Sequence, residues 1–413
     1  MPISRYKVSD TVLGNAIDPR QGAGVIGFKG RSVYDKLSEV ISVKDFKAVG
    51  DGVNDDTAAF RRALNAAAAV RGILFIPSGN YKITSGLETP LGIRGIKGEG
   101  ELASILQPTG SGYTALLINV SGEYGHFGVG GDNQTLNGVH IAGQFADLGR
   151  DATGFVLSDL SYIRVTNCDG FGFKIENAYD CSFNAISVQH CGNSTHYAFS
   201  VNCVNGETSN MSTFNRLQAE FSNEKAMYIH PDTVSCVFSN IHSERTLNGT
   251  TDSWVFGGNC CYYAGVRIHT YSGSGNARIY ATGTAIHNLL SEDTSVTWEA
   301  TVSGGQIALV SPRILTTLSA IPNQIGVINI FAPDIATLQG QALTYRIYGG
   351  RIGTLRVGYA GASDPSYMKL FGTAIGKLIS GHAGSAATFI NCNVTTATSL
   401  PVVTKSETLK DGL

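Results

Sequence analysis

Ile347-Tyr348-Gly349-Gly350-Arg351-Ile352-Gly353-Thr354-Leu355 returns, at an offset of 23, as Leu370-Phe371-Gly372-Thr373-Ala374-Ile375-Gly376-Lys377-Leu378. A related segment, Ile330-Phe331-Ala332-Pro333-Asp334-Ile335-Ala336-Thr337-Leu338, precedes it at an offset of 17. Gly349/Gly372, Ile352/Ile375, Gly353/Gly376, Leu355/Leu378 and Gly358/Gly381 are identical pairs. The middle of the chain repeats as well: Phe183-Asn184-Ala185-Ile186 becomes Phe214-Asn215-Arg216-Leu217, then Ser239-Asn240-Ile241 with one residue fewer. The steps from Ile186 to Leu217 to Ile241 are 31 and 24, and Leu289 lies 48 beyond Ile241, two turns of 24. Periods of this size with single-residue apolar alternation are too short for propeller blades of about 40 residues. They fit a parallel β-helix, in which each coil adds short strands and stacks on the coil before it. Gly and Asn supply the tight and left-handed positions at the corners.

The composition agrees. Gly makes up 50 of 413 residues, 43% of residues are hydrophobic and only 15% are charged. Coiled coils and long helical arrays need more Glu, Lys, Arg and Leu, and disorder needs less apolar content. Lys+Arg 30 against Asp+Glu 32 leaves a net charge of -2, so no overall basic field exists for nucleic acid or an anionic membrane. Residues 1–7 lack the apolar stretch of a signal peptide, and membrane insertion is not expected. The eight cysteines form no C-x-x-C pair and read as small buried thiols.

One helix stands out, at about residues 57–70, where Phe60, Leu64 and Ala67/Ala68 make a single apolar stripe after Asp55-Asp56-Thr57. Ile73-Leu74-Phe75-Ile76-Pro77 reads as a buried strand stopped by proline, and Tyr81-Lys82-Ile83 as a second short strand after a turn at Ser78-Gly79-Asn80. Asp51, Asp55 and Asp56 read as turn and helix-cap carboxylates. The helix is expected to plug the open end of the solenoid. The chain divides into a short leading segment (1–40), a cap (41–85), a central solenoid (86–310) and C-terminal repeats (311–413), the last a candidate trimerisation region.

Ser42-Val43-Lys44-Asp45-Phe46-Lys47-Ala48-Val49-Gly50-Asp51-Gly52-Val53-Asn54-Asp55-Asp56-Thr57, followed by Ile76-Pro77-Ser78-Gly79-Asn80-Tyr81, resembles the opening of the pectate-lyase-like β-helix superfamily. More narrowly, it is similar to bacteriophage tailspikes. The resemblance implies an all-β, right-handed parallel β-helix, a homotrimer, and binding or cleavage of a bacterial surface polysaccharide such as capsule or O-antigen. It also implies a place on the virion tail, assembly in the host cytoplasm, and attachment to other phage tail proteins through the N-terminus. The leading segment, 1–40, is shorter than the particle-binding domain usual in tailspikes.

Counting three residues past the inward apolar position of successive coils gives Gln189, Glu220, Glu244 and Glu292. If Leu217 and Ile241 occupy adjacent rungs, the backbones of Glu220 and Glu244 lie ~4.8 Å apart. Their repulsion raises one pKa, as a general acid requires. Carboxyls ~5 Å apart suit a retaining glycosidase and ~6.5–9.5 Å an inverting one; neither needs a metal or cofactor. Asp252 is a further catalytic candidate. For sugar binding, Trp254, His242, Arg245, Tyr228 and Arg267 offer flat faces and forked donors, and Trp254 is expected at the surface because its loop is polar. Of Tyr262 and Tyr263, at most one faces out. The alternatives are a non-catalytic receptor-binding spike, or a lyase or epimerase in which Arg245 or Arg267 stabilises a uronate. Calcium-dependent lyases of this shape use clustered Asp, which residues 200–300 lack.

Overall fold

The computed structural model describes residues 26–398 except 38, 134–135, 143–154, 248–251, 271–275, 300–304, 322–325, 341–343, 358–366 and 381–385. From residue 41 onward the strands pair in parallel with the strand one coil further on, and the ladder continues to Asn393–Thr398. This is the expected parallel β-solenoid. The repeat offsets are the rung offsets. Ile330 pairs with Ile347 and Leu338 with Leu355, the offset of 17. Ile352 pairs with Ile375, the offset of 23, and Ile186 with Leu217, the step of 31.

Two faces of the central coils matter below. The long-strand face is built from Asp159–Thr166, Ser182–Gln189, Thr213–Glu220, Val237–Thr246, Tyr262–Thr270 and Thr284–Ser291. The short-strand face is built from Asn137–Ala142, Phe173–Glu176, Phe199–Asn202, Met227–Ile229, Trp254–Asn259, Asn276–Thr282 and Ser295–Glu299. Each long strand carries a left-handed residue at one rung position, among them Tyr162, Ala185, Arg216, Asn240, Gly265 and Asn288. Short polar or small residues tolerate that conformation best, which suits Asn240 and Asn288, whereas Asn184 and Asn215, one residue earlier in their strands, are joined by a side-chain hydrogen bond between rungs. A second left-handed position follows at Asn167, His190 and Phe221. It turns the chain immediately after Thr166, Gln189 and Glu220, leaving those side chains at the edge of the face.

In-register pairing converts the sequence repeat into columns of like residues. Phe183, Phe214, Phe238 and Tyr263 stack inside the solenoid with ring centroids 4.8, 4.6 and 4.6 Å apart and planes within 8° of parallel. Columns of Ile163, Ile186, Leu217, Val266 and Leu289 fill the neighbouring interior positions. Tyr263 is buried and Tyr262 exposed, so only Tyr262 of that pair faces out. All eight cysteines are free; six are buried, whereas Cys260 is exposed and Cys203 half-buried, so the expectation of buried thiols fails at those two.

The helix spans Thr57–Ala69 and buries Ala59, Phe60, Ala63, Leu64 and Ala67. It packs over the strands Ile41–Ser42, Ile73–Ile76 and Leu87–Glu88, closing the first rung. The cap carboxylates divide the work. Asp55 accepts from the Thr57 backbone and hydroxyl, Asp51 closes a turn onto Val53 and Asn54, and Asp56 accepts from the Val49 and Gly50 backbones rather than capping the helix. The strand expected at Tyr81–Ile83 begins earlier, at Gly79. No helix among the described residues is long and apolar enough to cross a membrane.

The four-ring stack carries a direct test. Phe214→Ala removes the ring with aromatic partners on both sides, and is expected to cost about 3–5 kcal/mol of stability, read as a lower denaturation midpoint. Val237→Ala, at a 40% exposed position one strand further on, should shift the midpoint little.

Candidate functional site

Glu220 and Glu244 are register partners on adjacent rungs of the long-strand face. Two positions earlier along the same strands, and therefore on the same side of the sheet, Gln218 pairs with His242 and His242 with Arg267. These two columns interlock. Gln218 Nε2 donates to Glu220 Oε1 (2.7 Å) and Gln189 Nε2 to Glu220 Oε2 (3.3 Å). His242 Nε2 lies 3.1 Å from Glu244 Oε2 and 3.8 Å from Glu220 Oε1. Arg267 Nη2 lies 3.6 Å from Glu244 Oε2 and 3.4 Å from Glu292 Oε1. One donor atom from each of Glu220, His242 and Glu244 falls within a 4.8 Å group. The carboxylates are largely covered, at 14% and 18% exposure, while His242 and Arg267 are about 40% exposed above them. After Glu244 the register shifts by one residue before Thr246. The side chain of Arg245, at that irregularity, lies outside the described residues.

Four of the expected site residues thus form one continuous cluster with Glu292 at its end. The others separate from it. Tyr228 lies on the short-strand face, its ring 5.1 Å from that of Tyr197. Burial pushes both phenols above their ordinary pKa. Asp252 pairs with Arg278 (Nε to Oδ1, 2.8 Å), whose guanidinium also reaches the Tyr280 hydroxyl and lies over its ring.

Trp254 is a correction. It is fully buried and donates through Nε1 to Ser243 Oγ at 2.7 Å, which in turn donates to the Ala219 carbonyl. Its polar loop ends at Ser253. Trp254 opens a strand in register with Met227 and Ala277, both interior residues, so alternation puts the indole in the core. It cannot contact sugar at the surface.

Sequence reasoning missed Gln218, the donor that holds Glu220, although the position two residues before each glutamate recurs as regularly as the glutamates themselves. It also missed His140, Lys174 and Glu176 on the short-strand face. His140 Nε2 lies 3.0 Å and Lys174 Nζ 2.5 Å from the Glu176 carboxylate. Burial alone would raise the Glu176 pKa, but hydrogen bonds and charge from these two neighbours outweigh it, lowering it from 4.5 to about 2.

Residues 40–304 match the sequence profile of the family described as rhamnogalacturonase A/epimerase, pectate lyase-like, and the chain belongs to that family. It is 33% identical to the mannuronan C5-epimerase AlgE2 of Azotobacter vinelandii over 121 residues, 29% of this chain and 10% of the epimerase. It is 26% identical to the pre-neck appendage protein of Bacillus phage phi29 over 163 residues, 39% of this chain and 18% of that protein. The match therefore spans only a small part of either relative. Tailspike protein 3 of bacteriophage CBA120 superposes with a TM-score of 0.46 at 14% identity, over 91% of this chain and 63% of the tailspike.

Glu176 yields a pH-dependent prediction. A depressed carboxyl pKa contributes stability that is complete above about 4.5 and disappears as pH falls towards 2. Glu176→Gln should melt below the wild type at pH 7, and the gap should narrow progressively between pH 4.5 and pH 2 in thermal scans.

Proposed function

We propose that this chain is the body of a phage tailspike that depolymerises a bacterial surface polysaccharide by hydrolysing glycosidic bonds, with Glu220 and Glu244 as the acting pair. The observation that carries the reading is the juxtaposition of two shielded carboxylates on adjacent rungs, with donor atoms inside a 4.8 Å group. That spacing is close to the ~5–5.5 Å of retaining glycosidases, in which one carboxyl attacks and the other gives its proton to the leaving oxygen. Their environments divide the roles. Glu244 sits against His242 and Arg267, and the guanidinium charge favours an ionised nucleophile. Glu220 is oriented by donation from Gln189 and Gln218, and it takes the remaining role, proton transfer to the leaving oxygen. Arg267 and His242, both partly exposed, are the substrate-facing donors. Membership of the pectate-lyase-like family and the match to a phage appendage protein support the assignment to a spike.

A second reading, lyase or epimerase chemistry on a uronate, is favoured by one feature: a guanidinium and an imidazole flank Glu244. There Arg267 would neutralise the sugar carboxylate while His242 or Glu244 removes the adjacent proton.

Purified capsules and O-antigens from candidate hosts separate the readings. Hydrolysis releases reducing ends without the ultraviolet absorbance of an unsaturated uronate, and NMR of the first product should show retained anomeric configuration. Glu244→Gln and Glu220→Gln are each expected to lose about 10²- to 10⁴-fold in rate while still binding polymer. Wild-type turnover by either variant removes that residue from the site; binding without release of any product indicates a receptor-binding spike.

The trimer is proposed alongside. Phe331, Tyr348 and Phe371 stack with centroids 4.9 and 5.0 Å apart at the ends of three C-terminal strands, and Phe331 is 38% exposed. Light scattering should give about three times the 43.6 kDa chain mass; a monomer mass overturns it.

A further inference from the structure

The gap between Glu220 and Glu244 has the donor set of a metal centre. It offers one imidazole nitrogen and two carboxylate oxygens, all within 4.8 Å of one another. Around a tetrahedral zinc-like ion, with bonds of about 2.0–2.2 Å, ligand atoms lie about 3.4 Å apart. His242 Nε2 is 3.1 Å from one carboxylate oxygen and 3.8 Å from the other, values that bracket that edge. The third edge, between the two carboxylates, lies within 4.8 Å, so closure draws Glu220 and Glu244 towards the ion. A separate observation points the same way: His242 Nε2 is shielded from solvent and has no hydrogen-bond partner of acceptable geometry. That nitrogen faces both carboxylates, at 3.1 and 3.8 Å, and in the neutral ring it can serve as a ligand.

The surroundings behave as the outer shell of such a site. Gln218 and Gln189 each donate to one oxygen of Glu220 and orient that carboxylate. Arg267 lies 3.6 Å from Glu244, but it also reaches Glu292 at 3.4 Å and is 43% exposed. It can pass wholly to Glu292 when a cation takes its place. The imidazole ligand selects a transition ion over calcium or magnesium, which prefer all-oxygen sites. Three protein ligands leave a fourth position open to water.

We infer that Glu220, His242 and Glu244 bind one divalent transition-metal ion of the zinc type, and that the bound ion holds the carboxylate pair shut. The binding stands on the geometry alone. The inhibition rests on the proposed hydrolytic roles of Glu220 and Glu244, because a carboxylate committed to a metal neither attacks carbon nor delivers a proton.

Zinc chloride titrated calorimetrically into metal-free protein should show one site per chain. His242→Ala and Glu244→Gln should each weaken it at least about tenfold, and Glu176→Gln, on the other face, should leave it unchanged. Cobalt(II) should bind with the absorption of a nitrogen- and oxygen-ligated ion. Circular dichroism confirms that each variant is folded, and His242→Gln serves if the alanine variant is not. Undiminished zinc binding in a folded His242 variant overturns the proposal, as does a thiolate charge-transfer band placing the ion on the cysteines. Zinc is then expected to suppress reducing-end release and a chelator to restore it. If zinc binds through these ligands to a protein that cleaves no polysaccharide, the metal site stands and the hydrolytic reading falls. If cleavage proceeds with zinc neither binding nor inhibiting, the reverse holds.

Discussion

Everything in this molecule depends on the in-register parallel ladder. Each rung sets its residues about 4.8 Å above those of the rung before, and the ring stack from Phe183 to Tyr263 reproduces that spacing at 4.6–4.8 Å. For an apolar side chain the constraint is favourable at every step, since each ring covers the next. For a charged one it is not. Two glutamates in one column have their backbones held one rung apart, and only rotation of the side chains can separate the carboxylates. A like-charge pair in a stacked solenoid is stabilised where a neighbouring column supplies compensation. Here the column two residues earlier does so, through Gln218, His242 and Arg267.

The same constraint explains what was readable from the sequence. The offsets between similar segments are the rung offsets themselves, as the pairs Ile330–Ile347, Ile352–Ile375 and Ile186–Leu217 show, because a column of like residues leaves a repeat in the chain. The meeting of Glu220 and Glu244 followed from that arithmetic. Trp254 did not. Whether a residue faces in or out depends on where its strand begins, and a strand opening one residue after a polar loop reverses the assignment. The Asp252–Arg278 pair was hidden for a related reason: it joins a turn residue to a strand of the next coil, across a separation that belongs to no repeat. His140, Lys174 and Glu176 sit on the short-strand face, whose strands are too brief to show a periodic signal.

Burial sharpens the contrast between the two charged clusters. Glu176 has His140 and Lys174 at 3.0 Å or less and is held well below the usual carboxylate range. That is the signature of a carboxylate fixed in one charge state, which stabilises a surface but cannot exchange protons near neutral pH. In the long-strand cluster the guanidinium is shared between Glu244 and Glu292 and is 43% exposed, so its charge can redistribute between the two carboxylates when a ligand arrives.

The fold does not choose the chemistry. The family unites hydrolytic and epimerising activities on one ladder, and the same rung geometry can present an acid beside an acid, or an acid beside a guanidinium. In this chain Glu244 stands at the junction of both arrangements, one rung from Glu220 and beside Arg267. Proton donation to a glycosidic oxygen draws on the first neighbour, and neutralisation of a uronate draws on the second. Under the proposed roles, the choice between them would follow from where the polymer lies across the face. A glycosidic oxygen over the Glu220–Glu244 gap engages the carboxylate pair. A displacement of one rung along the solenoid, about 4.8 Å, instead brings a sugar carboxylate to Arg267. On the proposed roles, substrate register along the ladder, rather than any change in the ladder itself, is the variable that would separate the two chemistries.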